Sequence, residues 1–278
     1  MAKLLAAIDY SEAAASAVRA LLPLRRSLQD TLILYHAYQI PRGLPFLSAH
    51  VIEQIEKEAE TTAREKLREF LSSIVPPSER RGIRLLAQRE FPTDGLRRHL
   101  ATDKYGLLAL GAQSSDDSEG GLGFHARHFI YYSPIPTLVT FPETHIFWKK
   151  LLIAYDKNYT SPKGKPFLRR LISKMACEVI GLPILRQDSR IEQMHTRLQR
   201  LTGATHYTRI LWRGTDLVRL LRQAALSYGA EVVVLYTAPD EIVEGLKSLP
   251  ADQLHGTPAW LFLPQPSSAP QEAVELET

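Results

Sequence analysis

Leu4-Leu5-Ala6-Ala7-Ile8-Asp9, near the start of the chain, is restated as Leu151-Leu152-Ile153-Ala154-Tyr155-Asp156 just past its middle. A short apolar run closed by an acid is what a strand covered on both faces by helices looks like. Finding it twice points to an internal repeat. The first run is also too short, and too soon followed by Asp9 and Glu12, to be a signal peptide, so it reads as structure.

The residues around the first copy alternate between the two periodicities. Ser11 is placed to cap a helix in which Ala14, Val18, Leu21 and Leu22 recur at helical spacing, up to Pro23 and the polar Gln29-Asp30. A strand over 31–37 follows, then a loop carrying Pro41, Gly43 and Pro45, and a long charged helix over 48–75 that Pro76-Pro77 stops. Strand 83–88, helix 92–100 opened by Pro92, and the strongly apolar strand 105–111 come next. After a glycine-containing loop over 111–123, a helix over 124–132 leads through Ser133-Pro134-Ile135-Pro136 to a fifth strand over 137–141.

The second copy repeats this order with helix 165–175, strand 178–185, helix 191–201, strand 207–212, helix 216–228, strand 231–236 and a last strand over 259–263. Strands alternating with helices need parallel pairing and right-handed crossovers. The fold class is therefore α/β, with two tandem open parallel five-stranded sheets flanked by helices. The expected organisation is a first domain over 1–143, a linker over 144–148, a second and divergent domain over 149–264, and a tail over 265–278 whose Pro, Ser and Glu show no periodicity and which reads as disordered.

Composition bounds the function classes. The 278 residues are 45% hydrophobic and 23% charged, with no apolar run long enough to span a bilayer, so no membrane partner is expected. A net charge of +4 comes from basic residues scattered among acids such as Glu53, Glu56 and Glu58, which argues for a solvated surface and against nucleic acid. One cysteine, Cys177, cannot form an internal disulfide and suits a reducing compartment, so the expected location is the cytoplasm. His195 and His206 lack metal-ligand spacing with any Cys or carboxylate pair.

Four features together resemble the universal stress protein family in tandem form: the strand ending in Asp9 with Ser11 behind it, the strand ending His36-Ala37, the strand closing on Gly111, and the proline-marked last strand Ser133-Pro134-Ile135-Pro136-Thr137-Leu138-Val139. The resemblance implies five-stranded parallel sheets that pair through their last strands, so 137–141 is expected beside 259–263, inside the chain. One branch of that family binds ATP through a loop of the form G-x2-G-x9-G-[S/T]. Laid on this sequence, the motif puts its glycines at Gly111, Ser114 and Gly123, with Asp9 meeting base or ribose and Ala37 offering a backbone group to the adenine. These five residues are the candidate nucleotide-binding set, with no catalytic and no metal residue assigned.

The loop departs from the motif. Ser114 stands for a glycine, the second spacing is eight rather than nine, and Phe124 replaces the hydroxyl residue. Asp116, Asp117 and Glu119 add carboxylates that repel phosphate, by about 4 kcal/mol per close pair at an effective dielectric near 20. His125, Arg127 and His128 at the start of the next helix could meet an anion. Asp9 also reads as a local cap of the turn at Tyr10-Ser11. In the second half no glycine pair follows Tyr236 at motif spacing, so no cofactor is expected there, and the cofactor of the first domain is left open between ATP and none. The resemblance implies a non-catalytic stress-response binding or signalling module with a protein partner of unstated identity and homodimer formation open. The alternatives are a ligand-free dimerisation scaffold and a weak nucleotide hydrolase.

Overall fold

The computed structural model describes residues 2–40, 48–102, 104–112, 122–156, 161–184, 196, 198–200, 202, 207–209 and 216–264. Several expected features lie outside them: Ser114 with the acidic residues of its loop, most of the helix over 191–201, His195 and His206, the end of the strand over 207–212, and the tail over 265–278.

In the first half, β1 (Lys3–Ala7), α1 (Glu12–Leu28), β2 (Thr31–Tyr38), α2 (Ala49–Ile74), β3 (Ile83–Arg89), α3 (Pro92–Thr102), β4 (Tyr105–Gly111), α4 (Phe124–Tyr132) and β5 (Thr137–Thr140) follow in order. The second half contributes β6 (Lys150–Tyr155), α5 (Gly164–Met175), β7 (Glu178–Pro183), β8 (Tyr207–Arg209), α6 (Leu217–Tyr228), β9 (Val232–Tyr236), α7 (Asp240–Ser248) and β10 (Ala259–Phe262). Ser11 Oγ accepts from the Ala14 N–H to cap α1, and the helix continues through Pro23 to Leu28. The sequence reading missed α7, which starts directly after Thr237-Ala238-Pro239, where it sought a loop.

The strands form one sheet in the order β3-β2-β1-β4-β5-β10-β9-β6-β7-β8. Each half shows the same internal order, and within each half every pair is parallel. The two five-stranded sheets are joined through their last strands, with the segment over 137–141 beside that over 259–263 as expected, and hydrogen bonding makes them one. β5 and β10, which would each present an open row of amides at a sheet edge, pair antiparallel. Trp260 faces Val139, Leu261 faces Leu138 and Phe262 faces Thr137. Leu138 and Leu261 hold the same place in their own halves, so a pseudo-two-fold axis runs through that pair, as in an isologous dimer interface.

The core is continuous across this seam. Leu4, Leu34 and Leu138 from the first half and Leu151, Val234 and Leu261 from the second belong to one buried cluster on the face covered by α1 and α5. Polar clasps fix the halves further. Trp148, fully buried, donates from Nε1 to the Ala20 carbonyl of α1 at 2.7 Å. Arg170 of α5 reaches across to Asp30, with Nη1–Oδ2 and Nη2–Oδ1 distances of 2.9 Å, and Nη2 also donates to the Leu28 carbonyl. Asp30 Oδ1 takes a further bond from the Ala2 amide. The Asp30 side chain is 1% exposed, so removing its partners would strand a charge in the interior.

Asp30→Ala is expected to cost about 2–3 kcal/mol in urea unfolding, less than the full penalty for a completely buried pair because Arg170 stays partly in water. Combining it with Arg170→Met should recover most of that loss. A double variant no more stable than Asp30→Ala alone would show that the clasp does not work as a pair.

Candidate functional site

In each half the chain order reverses beside its first strand, with β2 on one side of β1 and β4 on the other. Crevices at the carboxyl ends of strands at such a reversal are where open α/β sheets bind ligands. A cavity of about 200 Å³ sits at this point in the first half, lined by Asp9, His36, Ala37, Gly111, His125 and Tyr35 among others. Three of the residues singled out from sequence, Asp9, Ala37 and Gly111, thus share one cavity. Phe124, 56% exposed, is not among its lining.

Each of these residues is placed by local chemistry. Asp9 leaves β1 and accepts from the Ser11 amide and hydroxyl through Oδ1, at 3.0 and 2.6 Å. The local-cap reading of Asp9 is therefore correct for Oδ1, while Oδ2 makes no hydrogen bond among the described residues. Tyr10 takes the left-handed conformation at φ 67° and turns its ring onto His36, with centroids 4.5 Å apart, and onto Phe70 of α2 at 5.6 Å. Gly111 is needed for packing: a Cβ there would stand 2.8 Å from the Ala14 nitrogen, because α1 lies directly against the end of β4. On the far side of the cavity, Tyr35 Oη donates to Glu90 Oε1 at 2.6 Å, and Glu90 in turn pairs with Arg98 at 2.9 Å. His125 Nδ1 lies 2.9 Å from Thr93 Oγ1, tying the first turn of α4 to that of α3.

The two halves differ most at the last step of their ladders. In the second half the Ile184 amide donates to the Tyr155 carbonyl at 2.8 Å and the Asp156 amide to the Tyr236 carbonyl at 3.0 Å, so the first strand of that half is zipped on both sides. The registers make Ile184 the counterpart of Ala37, Tyr155 of Ile8, Asp156 of Asp9 and Tyr236 of Gly111. In the first half neither corresponding bond is made. The Ile8 carbonyl is taken by His36 Nδ1 at 2.8 Å instead. The rings of Tyr155 and Tyr236 stack with centroids 5.6 Å apart, and the Tyr236 hydroxyl takes the Ser161 amide. Bulk and hydrogen bonds thus fill, in the second half, the place that Gly111 and Ile8 leave open in the first.

Gly123 plays a different part from the one its motif position suggests. It precedes α4 as the N-cap, and its amide donates to the Ala112 carbonyl at 2.6 Å, so that N–H is spent within the protein. Ser114 lies outside the described residues. His36, which the sequence reading used only to mark the end of a strand, is a site residue, and the repeat carries the signal: its counterpart is Pro183.

Among solved structures, a universal stress protein from Archaeoglobus fulgidus DSM 4304 superposes with a TM-score of 0.61 at 13% identity, over 95% of this chain and 96% of that one. The chain has the universal stress protein fold. A Pseudomonas aeruginosa PAO1 protein of unknown function matches the same fold with a TM-score of 0.52 at 16% identity, over 95% of this chain and 92% of that one. No family model and no curated protein sequence matches the chain.

Titratable groups set a pH dependence on this universal stress fold. Burial lowers the proton affinity of His36, against a smaller opposing pull from the Ile8 carbonyl and Asp9. Because a carbonyl only accepts, the neutral ring must carry its proton on Nδ1. Burial likewise lowers His128, with Arg97 and His125 adding repulsion and Asp94 opposing them, and its Nε2 is buried without a partner among the described residues. Burial also pushes the Tyr10 phenol up to about 12 and the Cys177 thiol up to about 12, so that thiol is held as an inert neutral group.

For a histidine depressed on folding, the unfolded chain binds more protons, so its contribution is intact above the ordinary value of 6.5 and is lost as pH falls. Thermal melts should therefore show stability dropping between pH 7.5 and 5. His128→Phe should flatten that slope; a slope unchanged in this variant would remove His128 from the account.

Proposed function

We propose that this chain is a non-catalytic stress-response binding module that takes one adenine nucleotide per chain, in the first half. The observation that carries the reading is the unzipped backbone edge at Ala37. Alternation along β2 turns the amide and carbonyl of Tyr35 toward β1, since the Tyr35 carbonyl accepts from the Ile8 amide, and it turns those of Tyr38 toward β3, where the Tyr38 carbonyl accepts from Glu90. Ala37, two residues past Tyr35, therefore also presents its N–H and C=O toward β1, beyond the point where β1 ends. A donor beside an acceptor on one backbone edge matches adenine, whose ring N1 accepts and whose amino group donates, and mismatches guanine, whose N1–H and O6 are reversed.

The remaining lining fits the same ligand. Asp9 Oδ2 is an acceptor for ribose hydroxyls, and Ile8, Leu96 and Leu110 supply apolar walls for a base. A cavity of about 200 Å³ is smaller than the roughly 300–1,000 Å³ of sites that swallow a whole ligand, so base and sugar lie inside and phosphates outside it. The amino end of α4, where His125 and Ala126 line the cavity, is the side on which an anion is favoured. No helix among the described residues is long and apolar enough to cross a membrane. The last-strand edges through which two chains would pair are used up by the β5–β10 seam, so any homodimer uses another surface.

ATP at 100 times its dissociation constant should stabilise the protein by about 2.7 kcal/mol in a thermal-shift titration. GTP should give a much smaller shift, and Asp9→Ala should weaken the response to ATP. No shift at millimolar ATP overturns the reading and leaves the ligand-free scaffold. Phosphate release above a heat-inactivated control would overturn its non-catalytic part.

A further inference from the structure

We propose that His36 is a positioning residue that holds the sheet open at the Ala37 amide, by taking the Ile8 carbonyl that this amide would otherwise bond. Only the consequence for ligand affinity rests on the nucleotide reading above; the backbone effect stands on the geometry alone.

In a regular parallel ladder the Ile8 residue donates to Tyr35 and accepts from Ala37. The first of these bonds is present, at 2.8 Å, and the second is absent, with His36 Nδ1 on the acceptor instead. The chain supplies its own control. Pro183, at the position of His36, has no side-chain donor, and there the amide of Ile184 closes onto the Tyr155 carbonyl. The same pair of strands, at the same register, is closed where the donor side chain is missing and open where it is present.

His36 is held to this task from its other side. Tyr10, fixed in its left-handed turn, lays its ring against the imidazole and is itself backed by Phe70. The Asp9 turn that forces Tyr10 into place is sealed by Ser11. The acid, the tyrosine and the histidine are thus one device: the turn seats Tyr10, Tyr10 seats the ring, and the ring keeps Ile8 from Ala37. An open amide edge is what a ligand reading that edge requires, because a bond already made to the protein must be broken before it can be offered again.

Amide hydrogen exchange, followed residue by residue by NMR on the nucleotide-free protein, tests this directly. Ile184 should be protected and Ala37 should exchange much faster. In His36→Leu the Ala37 amide should gain protection as the ladder closes, with Ile184 unchanged as the check that the fold is intact, and ATP affinity should fall about tenfold. His36→Asn places an amide nitrogen near the position of Nδ1 and should restore both fast exchange and affinity, whereas a merely space-filling role would not distinguish Asn from Leu. An Ala37 amide as protected as Ile184 in the unaltered protein overturns the proposal, and so does equal exchange in the Leu variant. If the exchange pattern is as expected and ATP does not bind, the nucleotide reading fails while the role of His36 stands.

Discussion

Eight residues' worth of backbone at the middle of the sheet decide how everything else is arranged. Strands β5 and β10 must each satisfy an exposed row of amides and carbonyls, and they do so on each other. Because that pairing is antiparallel while all others are parallel, every strand of the first half runs opposite to every strand of the second. The two crevices formed by the reversals of strand order therefore lie at opposite ends of one sheet. The same join brings α1 and α5 side by side, which is what lets Trp148 reach Ala20 and Arg170 reach Asp30.

The two crevices have been put to different uses. Aromatic bulk at Tyr155 and Tyr236, with one more rung of hydrogen bonds on each side, makes the second an extension of the core. Each rung closed in a buried setting removes amide groups that would otherwise need water or a ligand. The first crevice leaves the Ala37 amide without a backbone partner among the described residues, its Ile8 carbonyl taken by His36, and packs Ala37 and Gly111 where the second packs Ile184 and Tyr236. The second half thus seals its crevice, while the first leaves a backbone edge open where the proposed nucleotide would bind.

How much of this was legible follows from what each feature depends on. The repeat was written in two apolar runs ending in Asp9 and Asp156, because a strand buried on both faces leaves a composition signature that needs no neighbours to read. Strand ends and helix starts in the first half were found to within a residue or two for the same reason. Helix α7 is hidden in the sequence because Asp240, Ile242, Val243 and Leu246 follow Pro239 where the repeat sets them against the glycine-containing stretch over 111–123, read from sequence as a loop, and that comparison obscures a plain helical spacing. Gly111 is legible from the motif and lines the cavity, and the structure adds a second reason for a glycine there, because α1 crowds it. Gly123 spends its amide on Ala112, and the part of His36 rests on which carbonyl its ring reaches. Such facts turn on register across strands, which a single sequence does not encode locally. Once the register is known, setting His36 against Pro183 and Gly111 against Tyr236 makes the asymmetry readable.

The axis through Leu138 and Leu261 carries a consequence for what the molecule is free to become. Two identical chains meeting on such an axis must bear the same side chain at both ends, so any substitution that blocks one crevice blocks the other. Covalent continuity through residues 141–149 removes that obligation. The geometry of a symmetric pair is retained while the sameness of its two ends is released, and a body with twofold shape can hold an open crevice in one half alone.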